Sequence, residues 1–170
     1  MTDAIRAALE GASSYLADHP DEARYTDSLA TARLGDALHV EVLGPQGETI
    51  ATDMPAGIGG LGVSPGPGWL LRASVAACVA SVAGMRAAQL GLAGFRCEVD
   101  VDSESDDRGI LGLDSATPAG PLSLRIAIRL AAEAADESTL RDVASWAVDH
   151  CPVADAVRRA IPVNVEVDAG

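Results

Sequence analysis

At 170 residues, with a formal net charge of −13 and 48% apolar but only 3% aromatic residues, the chain can fill one sizeable core with Ala, Val, Leu and Ile. The negative balance excludes a binder of the nucleic-acid backbone, which needs a basic footprint. Three cysteines at scattered spacing fit a reducing compartment better than a disulfide framework, and the first residues lack the basic, apolar, small-residue order of a secretory leader, so a cytoplasmic location is expected.

Residues 3–17 carry Ile5, Leu9 and Leu16 at helical spacing. They predict an amphipathic helix within an extension over residues 1–20, lying on the body or on a second subunit. Residues 21–170 read as one domain. In "DALHVEVLGPQGETIATD", Leu38, Val40 and Val42 alternate with His39 and Glu41, and "GPQG" supplies a turn. That is a β-hairpin, with "SLATARL" a further strand of its sheet. "MPAGIGGLGVSPGPG" has no periodicity and is a long Gly/Pro loop. Pro67 then opens, and Gly91 closes, a helix that is apolar on nearly every face, the pattern of a helix buried all round. Its uncharged run from Ala73 to Met85, bracketed by Arg72 and Arg86, is too short to span a bilayer. No membrane partner is expected.

"FRCEVDVDS" puts Phe95, Cys97, Val99 and Val101 on one strand face and Arg96, Glu98, Asp100 and Asp102 on the other. After the acidic loop "ESDDRGILGLDSATPAG", the strand "PLSLRIAIRL" turns Leu122, Leu124, Ile126, Ile128 and Leu130 inward. "DESTLRDVASWAVDH" is a helix with an Asp/Ser start, "VADAVRRAI" adds a turn or two, and "PVNVEVD" closes the chain as a strand. This order is α+β, with the long helix against antiparallel sheet.

Among the cysteines, Cys97 shares a strand face with Phe95 and Val99 and reads as a small core hydrophobe. Cys78 sits mid-helix in "AACVAS", where core packing is also the plainer reading. Cys151 stands in "DHCPVAD", at the break that Pro152 imposes between two helices; there a side chain is displayed. Should that turn pack against the long helix, Cys78 and Cys151 would meet, one to attack and one to resolve. Periodicity does not place that contact. "DSESDDRG" lacks the ligand order of a calcium loop, the three histidines have no metal-ligand spacing with the cysteines, and "PAGIGGLG" has no Lys or Ser/Thr at phosphate-loop spacing. No metal or cofactor is expected.

Two motifs, in order and separation, resemble the OsmC/Ohr family of osmotically induced protein C and organic hydroperoxide resistance proteins. One is the Ser-Pro, Gly-rich approach to "LLRASVAACVASVAGMRAA"; the other is "HCPVADAV" followed by "IPVNVEV". The resemblance covers roughly residues 28–168. It implies an intertwined homodimer, with antiparallel sheet wrapped on long buried central helices. It further implies a thiol-dependent peroxidase of oxidative stress defence, reducing organic or inorganic hydroperoxides. Cys78 would be the peroxidatic thiol and Cys151 the resolving one, passing through a sulfenic acid to a disulfide. A dithiol reductant, such as a lipoyl group, would reset it.

The chain departs from the family pattern where the attacking thiol is activated. The family's Glu position falls at Gly68 or Trp69. Its Arg has only Arg33 or Arg24 in the right region, with Arg72 a substitute six residues from Cys78. Trp69, Arg72 and Arg33 are therefore carried as candidate substrate-binding residues. Two other readings stay open: a dimer of this fold with reduced catalysis that binds an apolar small molecule at the subunit interface, beside Trp69, and a purely structural partner protein.

Overall fold

The computed structural model describes residues 2–170. In chain order its elements are α1 (Thr2–Asp18), β1 (Thr31–Leu34), β2 (Val40–Leu43), β3 (Thr49–Thr52), α2 (Pro67–Gln89), β4 (Arg96–Glu104), α3 (Asp107–Ile110), β5 (Ser123–Ala131), α4 (Glu137–Asp149) and α5 (Pro152–Arg158). Two compact units result. One runs from Ala7 to Ser74; the other joins the first turn of α1, up to Arg6, to Val75–Gly170.

The first unit holds the sheet β1-β2-β3, antiparallel throughout. Val42 faces Ile50 across the hairpin and Leu34 faces Val40 on the other side, so "SLATARL" does supply a third strand. A different device orders the Gly/Pro loop. The Asp53 amide reaches Pro65 O at 3.1 Å and closes the loop into a ring. The Asp53 carboxylate then accepts the amides of Met54, Leu61 and Val63 at 2.7, 3.2 and 3.1 Å. A buried carboxyl group is pushed towards protonation, but these three donors, with the nearby His39, together outweigh burial and hold Asp53 below the usual carboxylate range. Gly60 is required at the waist of this loop, because a Cβ there would lie 1.8 Å from Met54 O.

The second unit carries the core. β4 and β5 pair antiparallel with Cys97 opposite Leu130, Val99 opposite Ile128 and Val101 opposite Ile126. That face packs on Val75, Val79, Val82 and Ala83 of α2 and on Val143 and Ala147 of α4. The opposite face carries charge: Arg125 pairs with Asp102, and Arg129 with Glu98 and Asp100. Pro67 begins α2. Its end follows at Gly91, which takes a φ of 67° while Leu92 N–H reaches back to Ala87 O at 2.9 Å, a glycine-closed C-terminus. Asp136 caps α4 by accepting the Thr139 amide at 2.8 Å.

α2 is long and apolar enough to cross a membrane by length and composition, yet here it serves as a core helix. Within the single chain it buries one stripe and leaves Ala77, Ser81 and Met85 exposed; burial on every face is expected only with a second subunit over it. Two expectations change. The segment "PVNVEVD" forms no strand. Val163, Val165 and Val167 alternate as a strand would, but stand 78%, 79% and 82% exposed, since among the described residues no strand pairs with them to complete a ladder. The acidic loop holds the short helix α3, started by Asp106, whose carboxylate accepts the Arg108 amide at 3.0 Å. Helix α1 forms as expected and buries none of its residues.

A thiol pair at the α4–α5 turn

Pro152 ends one helix and begins the next. It fits the first position of α5, where a missing N–H costs nothing, and so makes Cys151 the N-cap. The Cys151 sulfur accepts the Ala154 amide at 3.3 Å, as a capping oxygen would. Cys151 is sealed, 0% exposed, in the cluster with Val75, Val79, Val143 and Ala147. Cys78, on α2, is only partly buried. Its thiol is hydrogen-bonded to Cys151 and also receives the Val153 amide. The turn thus presents two successive amides, one to each sulfur.

Electrostatics disfavour the thiolate of Cys78 at rest. Burial, then the hydrogen bond with Cys151, push the Cys78 thiol above its ordinary value of 9.0, against the opposing pull of the Val153 amide. His150, next in sequence to Cys151, does not join it. It is exposed and stacks on Trp146 with ring centroids 4.0 Å apart, its Nδ1 2.9 Å from Trp146 O; the Arg86 guanidinium lies 5.2 Å from the same indole. A cavity of about 150 Å³, which neither cysteine lines, is bounded by Val75, Leu124, Ile126, Val148, Ala154 and Val157, with Arg158.

The expected residues divide accordingly. Cys78 and Cys151 come together within one unit. Trp69, Arg72 and Arg33 belong to the other unit: Trp69 on the first turn of α2 with half its surface exposed, Arg72 half-buried further along the helix, and Arg33 exposed in β1. Cys97 is a core side chain, partly buried against the cluster, its thiol pushed up by burial alone. Sequence reasoning missed the Val153 and Ala154 amides. The signal was available: a cysteine directly before a helix-starting proline is an N-cap, and an N-cap sulfur meets the next amides. No cluster of metal-ligating side chains occurs among the described residues.

A family model described as OsmC-like protein matches residues 59–166. No curated protein matches the chain. Among solved structures, an OsmC-like protein from Mycoplasma pneumoniae is similar at 14% identity, with 81% of this chain and 91% of that one covered and a TM-score of 0.68. An organic hydroperoxide resistance protein from Legionella pneumophila is 23% identical over 79% and 91%, TM-score 0.55. The organic hydroperoxide resistance protein OhrB of Bacillus subtilis is 19% identical over 79% and 93%, TM-score 0.52. At these identities the likeness is one of fold.

Proposed function

Because the chain belongs to the OsmC-like protein family, we propose that it is a cytoplasmic thiol-dependent peroxidase working through Cys78 and Cys151. The observation that carries this reading is the hydrogen-bonded contact of two cysteines from distant parts of the chain, one partly open and one sealed. The partly open Cys78, as thiolate, attacks the terminal oxygen of R–O–O–H. The O–O bond breaks, RO⁻ leaves and takes a proton to become the alcohol, and Cys78 becomes a sulfenic acid. The Cys151 thiol then displaces water from that sulfur, closing a disulfide. Two thiols and one hydroperoxide thus give a disulfide, an alcohol and water. The Val153 amide supports the attacking thiolate where the family uses a charged pair.

The working form is a homodimer. The bare face of α2 and the unpaired Val163, Val165 and Val167 are the surfaces that a second copy covers. A second reading, a dimer that binds a small apolar ligand, is favoured by the raised Cys78 thiol and the half-exposed Trp69.

Turnover tests the first reading against the second. Protein supplied with cumene hydroperoxide and excess dithiothreitol is expected to form cumyl alcohol catalytically, well above the rate without protein. Formation of alcohol at the background rate, together with quenching of Trp fluorescence by fatty-acid-like ligands, would favour the binding reading.

A further inference from the structure

We infer that, once Cys78 and Cys151 are joined, an incoming dithiol attacks the sulfur of Cys78 and expels Cys151. This rests on the thiol-pair reading above and fixes the direction of its reset. A thiolate displaces a disulfide sulfur from the side opposite its partner sulfur, so access to each sulfur from its far side decides the outcome. Cys151 is 0% exposed and lies among Val75, Val79, Val143 and Ala147, all at 1% or less; its far side is core. The cavity at Val148 and Ala154 is not lined by Cys151 and leaves the residue sealed. Cys78 is partly open.

The leaving group agrees with access. A thiolate expelled at Cys151 is received by the Ala154 amide, 3.3 Å from its sulfur. The steps balance. The dithiol's first thiolate forms an S–S bond to Cys78 as the Cys78–Cys151 bond breaks, and Cys151 departs as thiolate and is protonated. The dithiol's second thiol, deprotonated, then attacks the first sulfur, closing a cyclic disulfide and releasing Cys78. The reductant is oxidised by two electrons and the protein disulfide reduced by two.

The test uses the full chain and no peroxide. Diamide forms the Cys78–Cys151 disulfide, a brief pulse of glutathione opens it, and N-ethylmaleimide quenches the mixture before peptides are mapped by mass spectrometry. The expected result is glutathione on Cys78 and maleimide on Cys151, by at least tenfold over the reverse. Equal labelling, or glutathione mainly on Cys151, overturns the inference. Absence of any diamide-induced Cys78–Cys151 disulfide would also overturn it, by denying the contact. Loss of peroxidase turnover alone, with the tenfold preference intact, would overturn the proposed function and leave the direction of exchange standing.

Discussion

Cys97 and Cys78 sit in the same unit, pack against the same apolar cluster and are both pushed up by burial. Only Cys78 has a second thiol and a backbone amide on its sulfur. The strand cysteine is pushed up by burial alone, the state of an inert structural thiol. The difference teaches that residue type and burial do not mark a reactive site here. What sets Cys78 apart is the α4–α5 turn, where a cysteine placed before a proline brings two amides and a partner sulfur to one point.

The sharpest way to break the comparison is to remove one sulfur at a time. Cys78→Ser is expected to lower peroxide-dependent thiol oxidation about a hundredfold or more, since the nucleophile itself is gone; stopped-flow oxidation of the reduced protein measures this. Cys151→Ser should keep the first step and lose the second, leaving a Cys78 sulfenic acid that dimedone labels. A variant that still forms an intramolecular disulfide would show Cys97 to be the partner.

A smaller effect comes from pH. Because the Cys78 thiol lies above 9.0, its thiolate fraction at neutral pH is small, and the oxidation rate should rise about tenfold per pH unit up to and beyond that value. A plateau already reached at neutral pH would mean that a cation, absent from the groups acting on this sulfur in one chain, lowers it in the assembly. The smallest effect belongs to the strand. Cys97→Ala should leave oxidation unchanged and cost about 1 kcal/mol in urea unfolding, for lost packing.

Much of the fold was legible because local chemistry decided it. Pro67 and Gly91 bound α2, Asp136 caps α4, and the alternation in "FRCEVDVDS" assigns both faces of β4 as the structure has them. Loop 53–65 was read as irregular. Its order comes from one carboxylate serving three amides across ten residues, which no periodicity reveals; the clue was an acid placed directly before a loop rich in amides needing partners. "PVNVEVD" failed differently. Its strand pattern is sound, but a strand needs a neighbour, and among the described residues no strand pairs with it. The site was legible in its parts and not in its contact. The Cys-Pro break and the family resemblance name Cys151 and Cys78 as candidates, whereas their meeting depends on how α5 packs on α2.

The central claim is that peroxide oxidises this pair and spares the third cysteine. Reduced protein mixed with one equivalent of cumene hydroperoxide, alkylated and mapped by mass spectrometry, tests it directly. The account predicts a Cys78–Cys151 disulfide with Cys97 alkylated as in the untreated protein. Three cysteines all alkylated after excess peroxide, or Cys97 lost as fast as Cys78, would contradict it.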